Sequence, residues 1–252
     1  MAAMYPDLQG KVVLVTGGGS GIGEAIVHEF ARQKAKVAFI DIAVEPSRAV
    51  VKALEQAGTP VHFELCDLTD VPALQRVIVA IRARLGPIQV LVNNAAHDER
   101  HATQDVTEEV WDSRIAVNLK HQFFCAQAVL PDMKAAGAGA IVNLGSTSWM
   151  IGQGGMVAYT ACKSAVLGLT RSLARDYGAF GIRVNAVAPG WIMTQRQLEK
   201  WVTPEGEAEI MARQCLKRQL RPVEVAKFIV FLASDEASAC TSQHYVVDGG
   251  WV

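Results

Sequence analysis

KVVLVTGGGSGIGEAIVHEF, residues 11–30, begins as a strand and ends as a helix. Lys11–Thr16 is a short apolar run rich in β-branched residues. Ile22, Ile26 and Phe30 then recur every four residues, which is helical spacing. Between the two lies Thr16-Gly17-Gly18-Gly19-Ser20-Gly21-Ile22-Gly23. Glycines let such a turn be tight, and they let backbone N–H groups at the positive end of the helix approach a pyrophosphate. The spacing is Gly-x-x-x-Gly-x-Gly, which differs from the G-x-G-x-x-G fingerprint. A glycine-rich turn can also be only a turn.

Outward from this segment the same alternation repeats. Strands are expected at residues 36–40, 61–65, 88–92, 140–144, 182–186 and 244–247. Helices are expected at 45–57, 70–85, 107–117, 118–136 and 159–177, then from about 204 and again from 223. Apolar strands alternating with helices predict a parallel sheet covered on both faces. Right-handed crossovers make that a doubly wound, three-layer α/β sandwich of Rossmann type. The 252 residues contain no linker, repeat or charge run, so one domain over 1–252 is expected. Half the residues are hydrophobic, 19% are charged and the net charge is −1, which gives no general attraction for nucleic acid or an anionic membrane. Residues 1–10 lack the basic and apolar regions of a signal peptide, and no apolar run is long enough for a membrane span. The five cysteines (66, 125, 162, 215 and 240) are odd in number and scattered, which suits a reduced, cytoplasmic protein.

Ligands of such sheets bind outside the carboxyl ends of the strands. Asp41 ends the second strand about 20 residues after the glycines, where a carboxylate can accept both adenine-ribose hydroxyls. It would repel the 2′-phosphate of NADP, no arginine follows it, and Ser20 rather than a base precedes Gly21. NAD is therefore the expected cofactor, with NADP as the alternative. Asp67-Leu68 ends the third strand near the adenine, and Asn93-Asn94-Ala95-Ala96 ends the fourth beneath the ribose. Gly17, Gly19, Ser20, Gly21, Ile22 and Ile42 complete this end of the site.

Tyr159 and Lys163 stand four apart at the start of a helix and so share a face. A phenol ionises near pH 10, so a fully competent base at pH 7 requires about 4 kcal/mol of stabilisation. A neighbouring ammonium and oxidised nicotinamide both favour the phenolate. Ser146, thirteen residues before Tyr159 at the end of the fifth strand, can hold a substrate oxygen. Asn118 starts or interrupts a helix, where it can cap it or anchor a water leading to Lys163. His97 and His101 are four apart but lie on an expected loop with no evident third ligand, so no metal is expected. That loop instead walls the substrate pocket through Asp98, Glu99 and His101. Lys217, Arg218 and Arg221 read as a solvated surface.

Taken together, the Thr16–Gly23 turn, Asp67, Asn93–Ala95, Asn118, Ser146, Tyr159, Lys163, Pro189-Gly190 and Asp248-Gly249-Gly250 resemble the short-chain dehydrogenase/reductase family over the whole chain. The resemblance implies a seven-stranded parallel sheet and a catalytic tetrad of Asn118, Ser146, Tyr159 and Lys163. It also implies nicotinamide contacts from Pro189, Gly190, Ile192 and Thr194, a lid near 191–218, and a homotetramer. Ala96, Gly145 and Cys162 depart from the family pattern without removing a group that the chemistry needs. Further stretches are similar to bacterial dehydrogenases that oxidise D-xylose or L-arabinose at C1: Tyr5-Pro6, Asp98–His101, Trp201–Ala208, Gln214–Lys217 and Gly249-Gly250-Trp251. This implies oxidation of an aldopentose to its lactone, with Ser148, Trp149, Gln153, Trp191 and Gln195 joining Asp98, His101, Ser146 and Tyr159 around the sugar. A 3-oxoacyl or other carbonyl reductase and a non-enzymatic nicotinamide-binding protein are the alternatives.

Overall fold

A computed structural model describes residues 3–252; Met1 and Ala2, part of the segment examined for a signal peptide, lie outside the described residues. Seven parallel strands form one sheet in the order β3-β2-β1-β4-β5-β6-β7. They are β1 (Val12–Thr16), β2 (Lys36–Asp41), β3 (His62–Leu65), β4 (Ile88–Asn93), β5 (Gly139–Leu144), β6 (Ile182–Pro189) and β7 (His244–Val247). All five residues of β1 are buried. Its side chains alternate between faces: Val13 and Val15 enter the apolar cluster on one side, Val12 and Leu14 the cluster on the other. That two-sided burial is why the strands read as continuous apolar runs.

Helices α1 (Gly21–Arg32), α2 (Val44–Gln56) and α9 (Pro222–Ala233) supply Ile26, Phe30, Val50 and Ile229 to the first cluster. Helices α3 (Val71–Leu85), α5 (His121–Ala136) and α6 (Val157–Tyr177) supply Ile78, Val129 and Leu173 to the second. The chain leaves β1 towards β2 and β3, then returns to add β4 on the other side. Thr16 and Asn93 end the two strands that flank this switch, and they pair directly. A crevice at such a switch point is where this class of sheet binds nucleotides.

Three local features differ from the sequence reading. Residues 108–136 form one continuous helical run of α4 (Glu108–Ile115), a π turn (Ala116–Lys120) and α5, so Asn118 sits within a widened turn rather than at a helix start. Strand β6 runs three residues further than expected, held by pairing of Val187, Ala188 and Pro189 with β7. Between residues 191 and 218 an additional short helix, α7 (Gln195–Lys200), precedes the helix expected from about 204, which is α8 (Pro204–Arg213). Thr194 and Thr203 cap them by accepting from the N–H groups of Gln197 and Gly206, at 3.2 and 3.1 Å. No helix among the described residues is long and apolar enough to cross a membrane.

Candidate active site

The β1–α1 turn is shaped by the backbone around it. Gly17 has a φ of +70°, and a Cβ there would lie 2.8 Å from the Cα of Ala95. A Cβ on Gly23 would meet the Gly17 carbonyl oxygen. The turn is fastened to β4: Asn94 Nδ2 donates to the carbonyls of Thr16 and Gly17, both at 3.0 Å, while Thr16 Oγ1 accepts from the N–H groups of Asn94 and Ala95. Ser20 precedes α1 but its side chain does not cap the helix. The first N–H groups of α1 thus meet the cavity at the positive end of the helix, a fit for a pyrophosphate.

Asp41 lies at the rim of the same cavity. Its Oδ2 accepts from the Gly19 N–H at 2.8 Å, and its Oδ1 accepts from the Ala43 N–H at 2.9 Å. Two backbone donors fix the carboxylate, and each oxygen keeps a lone pair for a ribose hydroxyl. Gly19 donates its N–H to this carboxylate and is not part of the cavity wall. Ile42 lines the same cavity and is 68% exposed. Asp67 and Leu68 border this end too, and Asp67 Oδ1 is engaged by the N–H and hydroxyl of Thr69.

The other end of the cavity holds Ser146, Tyr159 and Lys163. Ser146 follows β5 and accepts from the Ser148 N–H at 3.1 Å. Lys163 is buried, and its Nζ donates to the Leu144 carbonyl at 2.8 Å, which ties α6 to the end of β5. Its ammonium lies 5.5 Å from the centre of the Tyr159 ring. Burial pulls Lys163 down to about 8, with Cys162 and Asp98 acting against it. The Tyr159 side chain is half-buried. Burial pushes its phenol well above 10, Asp98 pushes it further, and hydrogen bonding from Ser146 works against both. In the free protein the main influences on the phenol are therefore burial, Asp98 and Ser146, and the expected influence of Lys163 is not among them.

Asn118 is fully buried, and its side-chain amide grips the backbone of His97: Oδ1 accepts from the His97 N–H at 2.8 Å, and Nδ2 donates to the His97 carbonyl at 3.2 Å. It is a strut for the 97–101 loop rather than a helix cap. Its own carbonyl faces Gln122 Nε2 at 3.5 Å. Nearby His121 is held neutral, pushed to about 3 by burial and by Lys163. Its Nε2 lies 3.5 Å from Thr16 Oγ1.

Asp41, Asp67, Ser146, Tyr159 and Lys163 share one cavity of about 640 Å³, within the usual range for small-molecule and cofactor sites, whereas Asn118 and His121 lie outside its wall. Pro189, Gly190, Ile192 and Thr194 also line it, as do Ser148, Gln153, Trp191 and Gln195. Three expected substrate residues, Glu99, His101 and Trp149, do not line it, and Glu99 pairs with Arg114 at 3.1 Å. Trp149 packs at a tilt against His244, with ring centres 6.1 Å apart, and its indole is not part of the cavity wall. The Nε2 of His101 lies 3.3 Å from Arg114 of α4, and the backbone N–H of His101 is bound by the Gly155 carbonyl. Asp98 does line the cavity, but its carboxylate is engaged by Arg196 and Gln197.

A family model described as enoyl-(acyl carrier protein) reductase matches residues 17–252. The D-xylose 1-dehydrogenase of Caulobacter vibrioides is 50% identical over 250 residues, 99% of each chain. The chain belongs to the short-chain dehydrogenase/reductase family. Within it, a Rhizobium meliloti protein named "Probable galactose dehydrogenase" is 47% identical over 99% of this chain and 98% of its own. The crystal structure of a Sinorhizobium meliloti protein assigned to the short-chain alcohol dehydrogenases superimposes with a TM-score of 0.93, at 36% identity and 98% of both chains. As a member of this family the chain is a dehydrogenase of CH–OH groups that works with a nicotinamide nucleotide.

Several residues that border the cavity in this dehydrogenase were not singled out in the sequence, among them Ile151, Arg196 and Gln197. For Gln197 a signal existed. Thr194-x-x-Gln197 has the spacing of a helix start, and it marks α7.

Proposed function

We propose that the protein is an NAD-linked aldose 1-dehydrogenase that oxidises an aldopentose (L-arabinose, D-xylose or a close relative) to its aldonolactone. The observation that carries this is the union, in one cavity, of a fixed Asp41 carboxylate at one end with Ser146, Tyr159 and a polar loop at the other. The 50% identity to a D-xylose 1-dehydrogenase supports the sugar. The bound nicotinamide supplies the acceptor for the two electrons and one hydrogen that leave the sugar C1.

The chain's own residues do the rest. Gly17, Ser20, Gly21, Ile22 and the start of α1 receive the pyrophosphate, Asp41 the adenosine ribose, and Asp67 the adenine. Asn94 and Ala95 form the floor beneath the ribose, while Pro189, Gly190, Ile192 and Thr194 flank the nicotinamide. Ser146 holds the C1 oxygen, and Tyr159 removes the proton from that oxygen as general base. Lys163 places its positive charge beside the phenolate and binds the nicotinamide ribose. A positive charge arriving with the oxidised cofactor opposes the effect of burial on Tyr159. Asn118 offers its backbone carbonyl to the water that takes the proton onward from Lys163. Ser148, Gln153 and Gln195 are placed to meet the sugar's other hydroxyls.

We read the chain as one domain with a lid at 191–218. Trp111, Phe123 and Val157 are 38–40% exposed on α4, α5 and α6, which supports packing of these helices in a homotetramer. All five cysteines are free thiols, which supports a reducing, cytoplasmic setting. The test is a panel of pentoses, hexoses and simple secondary alcohols with NAD and NADP, followed at 340 nm, with the lactone trapped as its hydroxamate. Turnover is expected for aldopentoses with NAD and to be poor for simple alcohols, because a site built to bond hydroxyls rejects analogues that lack them. Absent aldose turnover with rapid reduction of an acetoacetyl thioester would overturn the reading.

A further inference from the structure

Gln197 borders the cavity, and none of the roles above uses it. Both ends of its amide are bound. Nε2 donates to Asp98 Oδ2 at 2.7 Å, and Oε1 accepts from Trp191 Nε1 at 3.0 Å. A carboxylate only accepts and an indole only donates, so a single amide orientation satisfies both partners. The second Asp98 oxygen accepts from Arg196 Nε at 2.9 Å. Arg100, on the same loop as Asp98, lies over the Trp201 ring at 4.6 Å. The loop and the lid are thus joined at two points.

Asp98 and Trp191 differ in what they offer a ligand. The carboxylate retains lone pairs for hydroxyl donors, while the indole presents a flat apolar face. Sugars combine a hydroxyl-bearing edge with a C–H face. We propose that Gln197 is a specificity-determining positioning residue that holds Asp98 and Trp191 as the polar and apolar walls for a polyhydroxylated ring. The identity of the ring rests on the aldose reading; the coupling of the two walls does not. Without the amide, Asp98 keeps only its arginine partner and the indole N–H loses its acceptor. Both side chains are then free to reorient, and the substrate must order them.

Gln197→Met removes both hydrogen bonds at nearly constant length and volume, and Gln197→Glu keeps the acceptor for Trp191 while opposing Asp98 with a second carboxylate. The wild-type aldose panel is run first, and it alone decides the aldose reading. For the best aldose, Gln197→Met should raise KM about tenfold or more, the loss expected for a charged hydrogen bond. Its kcat should change less than its KM, and the Kd for NAD and the thermal midpoint should stay near wild type. Asp98→Asn combined with Gln197→Met should be little worse than Asp98→Asn alone, because the amide acts through that carboxylate. Trp191 emission, taken as the difference from Trp191→Phe, should shift in Gln197→Met before substrate is added, and less in Gln197→Glu. An unchanged KM, or fully additive effects of the two substitutions, would overturn the specificity role. If wild type oxidises no aldose, the aldose reading and the ring fail together, and the emission still judges the coupling: an unshifted Trp191 band overturns it.

Discussion

On the proposal that Asp41 selects NAD, replacing it by Ala should let the enzyme accept NADP at least as well as NAD. The carboxylate is held by the Gly19 and Ala43 N–H groups at 2.8 and 2.9 Å, so it cannot swing away from a 2′-phosphate. Two unit charges 4 Å apart repel by about 1 kcal/mol in bulk water and about 4 kcal/mol at an effective dielectric constant near 20. Asp41 sits at a partly exposed rim, which places the penalty at about 1–3 kcal/mol, or roughly 5- to 150-fold against NADP. Truncation removes that repulsion and also frees two backbone N–H groups to face the phosphate. It simultaneously takes charged hydrogen bonds from the ribose of NAD, worth roughly 1.5–3 kcal/mol each. The assay is kcat/KM for both cofactors at saturating sugar. The NAD value should fall about tenfold and the NADP value should rise. A wild type that already prefers NADP, or a ratio that moves less than about threefold, would refute this use of Asp41.

Tyr159→Phe should keep the fold and bind NAD, with turnover reduced by about 10²–10⁴ or more; retention of a tenth of wild-type turnover would mean that another group takes the proton. Lys163→Met should abolish turnover yet show what the buried ammonium costs. The folded Lys163 loses its proton near 8 and the unfolded one near 10.5, so between these values the unfolded chain binds more protons and stability rises with pH. The cost is fully present below about pH 8. Denaturant unfolding should therefore show wild type gaining on Lys163→Met by up to about 3 kcal/mol from pH 8 to 10.5. A difference that stays flat over that range would contradict a charged, buried Lys163.

The parts legible in the sequence are those in which a local pattern carries the information. Strand β1, the glycine turn and α1 follow from a change of period within twenty residues. Asp41, Asp67 and Ser146 follow once the strand ends are located, because the sheet delivers those ends to one crevice. Side-chain direction in the loops was not legible. Trp149 and His101 lie outside the cavity wall because His244 and Arg114 receive them, and those partners lie 95 and 13 residues away in sequence. Helix α7 has only six residues and three charges or amides per turn of chain, so no apolar period announced it. The π turn at 116–120 appears in the sequence only as a break between two helical patterns, and its effect on Asn118 needs the His97 backbone to be in place. The environment of Tyr159 was likewise hidden: one lysine is visible in the sequence, whereas the burial and the Asp98 charge that act on the phenol depend on the whole packed site.

The most direct test of the account follows a single hydrogen. The wild-type enzyme is given NAD and either D-xylose or L-arabinose carrying deuterium at C1 alone, and the reduced cofactor is examined by mass spectrometry. The account predicts one deuterium in the NADH for every lactone formed, with a slower turnover than for the unlabelled sugar wherever the C–H cleavage limits the rate. Unlabelled NADH, formed while deuterium stays on the sugar, would contradict oxidation at C1.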